Sequence, residues 1–428
     1  MSEWKEDNLG NLAEVQTGPF GSQLKNEQYI TGGTPVVTVE HIKDFFIEDF
    51  TYPSVTDEDK NTLKRYILKS GDIVFSRVGS VDLSALVKEH QDGWLFSSRM
   101  LRVRVKEKLD TQFLSYYLRQ STIRQFILNI SVGSTMPSIN TEILKSLPIV
   151  YCSLKEQKQI ADILSCLDNK IDNLRRQNET LEKIAQTLFK HWFIDFEFPN
   201  DDGKPYKSSG GAMVASELGD IPAGWRVGKM QDIIEVRDGT HDSPKQSDKG
   251  FKLITSKHLK KEGIDFDSAY FISDNDYVEI NKRSKVETFD ILLSMIGTVG
   301  LLYFVQEKLI NFAIKNIGLF KTSQNLNYSE YIYLFIKSNY GETYLKTRLA
   351  GTTQSYVTLS ALRDMPLIIP SSRIVNQFKQ ISKSIFDKDY FNKQQIQTLT
   401  KTRDTLLPKL MSGQIRVKEV ESIIEEVK

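Results

Sequence analysis

The hexapeptide Gly71-Asp-Ile-Val-Phe-Ser76 returns 218 residues later as Phe289-Asp-Ile-Leu-Leu-Ser294. The same offset carries Val78-Gly79 onto Ile296-Gly297, Gly133-Ser-Thr135 onto Gly351-Thr-Thr353, and Leu147-Pro148-Ile149 onto Met365-Pro366-Leu367. It continues through Thr180-Leu-Glu-Lys183 on Thr398-Leu-Thr-Lys401 and Thr187-Leu-Phe189 on Thr405-Leu-Leu407, so one ungapped register runs from residue 71 to about residue 193. Nearer the start the offset drifts, as changes in loop length would make it do. Trp4 meets Trp225 and Gly18 meets Gly239 at 221, while His41-Ile42 meets His258-Leu259 at 217. Coincidental likeness of two ordinary α/β domains would not hold one register over that span, so the chain reads as an internal repeat.

Each half closes on a long helical pattern. From Leu154 to Trp192 there is neither proline nor glycine. Ile160, Leu164, Leu167, Ile171, Leu174, Leu181, Ala185, Leu188 and Trp192 recur in steps of four and three, with Asn178 in the one gap. That is the seam of a coiled coil. At 1.5 Å per residue the stretch makes a rod of about 58 Å, and a lone helix would leave its stripe in water. The repeat supplies the partner: residues from about Ile374 to Leu410 place Phe378, Ile381, Ile385, Ile396, Leu399, Leu406 and Leu410 on a similar seam, interrupted by Asp389 and Asn392. Asn178 and these residues read either as a buried polar layer that fixes register or as a solvated bulge. Asn200-Asp-Asp-Gly-Lys-Pro and Ser208-Ser-Gly-Gly form a turn-rich linker between the halves.

The fold expected is α+β, with two similar mixed α/β domains joined by two long antiparallel coiled-coil helices in a pseudo-two-fold internal repeat. The boundaries expected are 1–150 for the first domain, 151–198 for the first helix, 199–215 for the linker, 216–371 for the second domain, and 372–428 for the second helix and tail. Short apolar runs such as Thr34-Pro-Val-Val-Thr-Val39, Asp72-Ile-Val-Phe-Ser76, Leu101-Arg-Val-Arg-Val105 and Asp290-Ile-Leu-Leu-Ser294 read as strands. Phe113 to Asn129 and Tyr331 to Arg348 read as helices whose aromatics belong to the core rather than to base stacking.

Glycine loops with small polar and basic residues lie between these elements. Candidates in the first half are Ser22, Lys25, Arg77, Ser80, Ser134 and Thr135. In the second they are Thr240, His241, Thr298, Thr352, Thr353, Gln354 and Ser355. Glycine would let backbone N–H groups approach phosphate, and Ser, Thr, Arg and Gln can hold phosphate or read base edges. Taken one at a time, each loop is equally well an ordinary turn. The framework is shared but the tips differ: Arg77 faces Met295, and Met136-Pro137 faces Gln354-Ser355. A rod of this length spans successive major grooves of B-DNA, whose turn is ~34 Å.

Composition and absences narrow the function. The net charge of +1, from 56 basic and 55 acidic residues, argues against a binder that coats nucleic acid without reading it. Cys152 and Cys166 stand apart from any Cys/His cluster, so neither a zinc site nor a disulfide framework is expected. His41 and His258 read as packed or phosphate-contacting rather than metal-ligating. No GxxxxGK[ST] loop, dinucleotide fingerprint, or Asn-Pro-Pro-Tyr or Asp-Pro-Pro-Tyr tetrapeptide is present. Glu58-Asp59-Lys60 and Glu426-Val427-Lys428 echo the end of a nuclease motif, but no upstream acid is correctly placed. The start, Met1-Ser-Glu-Trp-Lys-Glu-Asp, lacks a signal-peptide pattern and no apolar run spans a bilayer, so a cytoplasmic protein without membrane contact is expected.

Three motifs complete the picture: a helix opening on Leu154-Lys-Glu-Gln-Lys-Gln-Ile160 and ending in His191-Trp-Phe-Ile-Asp-Phe-Glu-Phe198, a second opening at Pro222-Ala-Gly-Trp225, and a close on Leu406-Leu-Pro-Lys-Leu-Met-Ser-Gly-Gln-Ile415. In these the whole chain resembles the specificity (S) subunit of type I restriction–modification systems. The resemblance implies two target-recognition domains, each reading half of a bipartite asymmetric site on double-stranded DNA. It implies helices that dock two methyltransferase (M) subunits, to which restriction (R) subunits associate. Lys170, Arg175, His191, Trp192, Phe193, Lys401 and Lys409 are the expected partner-binding residues. No catalytic residue, metal or cofactor is expected in this chain, with S-adenosylmethionine, ATP and Mg on the partners. Ile374-Val-Asn-Gln377 departs from the family's acidic residues before glutamine, which blurs the start of the second helix. The rival readings are a specificity subunit of a related system with fused methylase and nuclease, a nuclease with a degenerate site, and a structural coiled-coil scaffold.

Overall fold

The repeated hexapeptides become central strands. In the computed structural model, which describes residues 4–21, 23–43, 45–48, 51–133, 135–351 and 353–417, Ile73–Ser76 lies inside a four-stranded antiparallel sheet. Its order is Ala13–Thr17, Met100–Val105, Ile73–Ser76, Ser84–Leu86. Ile291–Ser294 occupies the same place in a second sheet, ordered Val236–Asp238, Ile317–Phe320, Ile291–Ser294, Leu302–Phe304. All positions of both strands are buried. Successive side chains of a strand point to opposite faces, and here both faces are covered. Ile73 and Phe75 enter the core that includes the helices, while Val74 enters a separate core against a second sheet. Ile291 and Leu293 part from Leu292 in the same way. A buried strand therefore needs no polar alternation.

The second sheets also match. Thr34–Val37 pairs antiparallel with Ser54–Val55 and parallel with Leu95–Phe96. Phe251–Thr255 pairs antiparallel with Phe271–Ile272 and parallel with Phe312–Lys315. Before each central strand an aspartate closes the turn. Asp72 accepts the Lys69 N–H and Asp290 the Glu287 N–H, both at 2.8 Å. Each buried carboxylate is met by a cation, Arg104 on Asp72 and Lys321 on Asp290.

The expected helices Phe113 to Asn129 and Tyr331 to Arg348 are each two helices: Thr111–Arg119 with Ser121–Ile130, and Ser329–Lys337 with Asn339–Thr347. The breaks fall at Gln120 and Ser338, whose ψ angles of 134° and 161° are extended. At Ser338 the side chain caps the following helix by accepting the Gly341 N–H. Periodicity alone could not show the break, because the apolar spacing continues through it.

The long helices are Leu154–Phe193 and Ser372–Met411, 40 residues each. Their starts and ends are separated by the 218-residue offset, so the departure at Ile374-Val-Asn-Gln377 shifts nothing. The slot of Gln157 is taken by Val375. Buried Gln157 accepts the Asp110 N–H and donates to the carbonyls of Cys152 and Lys108. In the second copy Tyr328, donating to the Pro370 carbonyl, and Lys379, donating to the Leu326 carbonyl, join the corresponding segments instead.

The chain divides into two compact units, one of residues up to Ile171 with those from Thr398 on, the other Asp172–Gln397. In the first, Ile160, Leu164 and Leu167 share a core with Leu406, Leu407 and Leu410. In the second the helices run antiparallel, since Asn178 bonds Asn392 while Trp192 packs on Phe378 with ring centroids 5.7 Å apart. The second helix departs from its expected seam. Ile381 is 49% exposed, and around it Ile374, Val375, Phe378, Ser382 and Phe386 are buried. The stripe is wider than a coiled-coil seam because it faces both a helix and a globular core. The open question about the polar layer is also answered. Asn392 is fully buried, and its Nδ2 donates to Asn178 Oδ1 at 2.8 Å.

In the first unit the helix pair carries a buried ionic clasp. Asp168 accepts from Arg119 (2.6 Å), Arg403 (2.8 Å) and the Tyr116 hydroxyl (2.8 Å). Burial opposes its charge, but the two guanidinium groups outweigh burial and hold the carboxyl below its usual range. The offset-equivalent residues of the second unit are Lys337, Phe386 and Ala185. There Phe386 packs edge-on against Phe304 and Tyr333, and Lys337 turns to Glu182 at 2.6 Å. Asp168→Asn is expected to cost about 3 kcal/mol at pH 7, since removing one partner strands buried charge. A depressed carboxylate contributes stability above its unfolded value of about 4, and that contribution is lost as pH falls below it. Urea denaturation from pH 7 to pH 3 should therefore show a shallower acid loss in the variant than in the parent; parallel curves would refute the charge role.

Candidate nucleic-acid interface

In the first unit, loops from four parts of the chain are tied together by backbone bonds. The Gly18 N–H donates to Met100 O (3.0 Å), Arg77 N–H to Arg99 O (2.8 Å), Gly79 N–H to Pro137 O (2.8 Å) and Ile139 N–H to Arg77 O (3.0 Å). Half-buried Arg77 reaches under them, donating to Thr17 Oγ1 at 3.2 Å and the Ser98 carbonyl at 3.5 Å. Lys25, Ser80 and Thr135 are exposed on this cluster, and so is Arg99. Of the expected residues, Ser22, Ser134 and Thr352 lie outside the described residues.

The second unit repeats the cluster with other chemistry. Gly239 N–H donates to Ile317 O (2.8 Å), Gly297 N–H to Ser355 O (3.0 Å), and Val357 N–H to Met295 O (3.0 Å). Exposed His241 stands between Asp238 Oδ2 at 3.0 Å and Asn316 Oδ1 at 2.8 Å, and Asp238 also receives Arg283. Asn316 holds φ at +53°, which turns its side chain to the histidine. Lys315 bonds Ser243. Thr298, Thr353, Gln354 and Ser355 are exposed, and Thr240 is half-buried.

At Gly18, Gly79, Gly239 and Gly297 the N–H is taken by a carbonyl, so at these four positions the glycine serves the backbone and not as a phosphate donor. Gly18 and Gly239 permit close backbone approach: a Cβ would stand 2.0 Å from Ser97 O and 2.6 Å from Ile314 O. Gly79 and Gly297 instead supply φ of +82° and +77° at a turn. His41 and His258 are buried, and each Nδ1 accepts an N–H three residues back, from Thr38 at 3.0 Å and Thr255 at 2.9 Å. Burial pushes both imidazoles below their ordinary pKa, which keeps that nitrogen an acceptor. They are packed turn caps.

Sequence reasoning missed Arg99, Lys315 and Asn316. Inside the stretch read as one 218 register the strand pairing slips to 217, since Met100 faces Ser76 and Ile317 faces Ser294, and this places Arg99 on Asn316, one residue before the strands Met100–Val105 and Ile317–Phe320. An ungapped register hides that correspondence.

Among the expected partner-binding residues, Lys170, His191 and Lys401 are exposed and Lys409 is half-buried. Arg175 is held by Glu262 at 3.1 Å. Trp192 and Phe193 do not belong to an open surface. Both are buried, with Phe193 centred 4.8 Å from Tyr331, 4.9 Å from Phe378 and 5.9 Å from Trp225. Aromatics at a helix end gain more from a core than from water. Among the described residues no group of three or more His, Cys, Asp and Glu could hold a metal, and no helix is long and apolar enough to cross a membrane.

Two mixed domains of one design, with paired long helices, define the class. The chain matches the family described as the type I restriction modification DNA specificity domain twice, over residues 1–183 and 222–401, and belongs to the specificity subunits of type I restriction–modification systems. It is 28% identical to the type I restriction enzyme MjaIX specificity subunit of Methanocaldococcus jannaschii, over 98% of this chain and 95% of that one. It is 24% identical to the HindI specificity subunit of Haemophilus influenzae, over 97% and 100%. The crystal structure of the S subunit from M. genitalium shares the fold, with TM-score 0.59 and 16% identity over 96% of each chain.

The two kinds of glycine predict two costs. Gly18→Ala forces the Ser97 carbonyl to move and should destabilise the first unit by roughly 3 kcal/mol. Gly79→Ala has open space around it and should lose only about 1–2 kcal/mol, the cost of a left-handed backbone. Thermal unfolding of both variants checks this; equal losses would contradict the distinction.

Proposed function

We propose that this specificity subunit is the non-catalytic reader of a bipartite, asymmetric DNA site. The first domain reads one half and the second the other. The long helices set the unread gap and dock two methyltransferase subunits. The observation that carries this reading is one loop framework with unlike tips: Phe20 answers to His241 at the 221 offset, and Met136 to Gln354 at 218. Base edges specify sequence while phosphate contacts only position the protein, so one scaffold with two tip chemistries suits two different short sequences. S-adenosylmethionine then belongs to the methyltransferase subunits, and ATP and Mg to restriction subunits bound to them. Docking along the helices is supported by exposed Lys170, His191 and Lys401, with Ile184 and Ile381 as apolar side chains open to solvent.

Exchanging residues 216–371 for the corresponding segment of another specificity subunit should change one half of the methylated site and leave the other intact. Genome-wide mapping of methylated bases reads this out, and a change in both halves, or in neither, would sink the division of labour. Inserting four residues into each long helix adds ~6 Å, on the order of one to two base pairs of gap. A methylated site with its original gap after that insertion would exclude a spacer role.

A further inference from the structure

The loop face of the first unit combines exposed apolar side chains with cations and no carboxylate; the second also exposes Leu349 and Tyr356, but its loops carry Asp238 and Asp242. Residues 17–25, 76–80, 97–100 and 131–138 carry Lys25, Arg77 and Arg99 and no aspartate or glutamate. Within this positive field stand apolar side chains open to solvent: Phe20 at 59%, Val132 at 62% and Met136 at 65% exposure. Phe20 is not a stray core residue. Gln23 accepts the Phe20 N–H at 3.2 Å and the Tyr66 hydroxyl at 2.8 Å, while the N–H groups of Gln23 and Leu24 return to the Phe20 carbonyl. The turn is tied to the core and the ring is held out of it. The equivalent positions of the second unit hold His241, Ala350 and Gln354, with Asp238 and Asp242 nearby.

Apolar tips on loops that carry cations and no carboxylate fit a polyanion that itself offers an apolar group. On the base edges of the major groove that group is the thymine 5-methyl. We propose that Phe20 and Met136 read the first domain's half-site by packing on thymine methyl groups, and that the second domain reads its half by hydrogen bonds from side chains such as exposed Gln354. This rests on the DNA-reading function proposed above. It adds what that reading leaves open: the chemical feature each domain selects.

The test uses the subunit assembled with its methyltransferase subunits. Methylation mapping gives the two half-sites, and the exchange of residues 216–371 assigns them. Binding is then measured to duplexes in which deoxyuridine replaces thymidine in one half at a time, removing only the methyl. Uracil in the first domain's half should weaken binding about fourfold for each contacted methyl, and uracil in the other half should change nothing. Phe20→Ala with Met136→Ala should erase the thymine–uracil difference while leaving the melting temperature unchanged, because both side chains lie outside the core. Equal affinity for the two bases in that half, a half-site without thymine, or a double variant that loses subunit assembly instead of base discrimination each overturns the assignment. Failure of the complex to bind any specific site would instead defeat the DNA-reading function, and this proposal would fall with it.

Discussion

A helix of forty residues with one apolar face cannot exist alone in water, and the rest of this structure depends on how that face is covered. In each unit it is shared between a partner helix and a globular core. Leu164 packs with Leu410 in a core that also holds Ile73 and Phe75, and Phe378 packs with Trp192 in one that holds Ile291. Because one stripe serves two partners, helix pairing and domain docking are a single event. The stripe is accordingly broader than a heptad seam. Phe189 and Phe193 lie within it, and Ile381, which a strict seam would bury, lies outside.

The two copies keep what backbone geometry demands and vary what it does not. The aspartate turn before the central strand, the histidine that caps the turn after Thr38 or Thr255, and the glycine that lets two loops touch recur because each satisfies a fixed N–H or a fixed close approach. Side chains that merely fill space have diverged. The clasp of Asp168 with Arg119 and Arg403 becomes Phe386, Lys337 and Ala185. Either set fills the junction, one by paired charge and the other by aromatic packing, and neither leaves a buried charge alone. Loop tips such as Phe20, Met136 and Gln354 stand open to solvent, so they are where two domains of one design can acquire different surfaces.

Much of this was legible beforehand. The internal repeat, the long helices, the central strands and the positions of the loops follow from spacing, since periodicity is a local property that a chain carries before it folds. The loops were located, but the engagement of four of their glycine N–H groups, those of Gly18, Gly79, Gly239 and Gly297, was not. Whether an N–H is free depends on which carbonyl another segment brings to it, as Pro137 does for Gly79 and Ile317 for Gly239. Trp192 and Phe193 misled for a related reason. A helix-end aromatic has the same local pattern whether it faces a core or a partner, and here Tyr331, Phe378 and Trp225 surround it.

By itself, then, the sequence determined the duplication, the forty-residue helices and the shared framework, because repeats and periods are written along one dimension. Tertiary structure alone decided the displaced seam at Ile381, the clasp on Asp168, and the gathering of the loops that carry Arg77, Arg99, Phe20 and Met136. Each of these depends on distant segments meeting, and the free energy of such a meeting resides in neither segment before they touch.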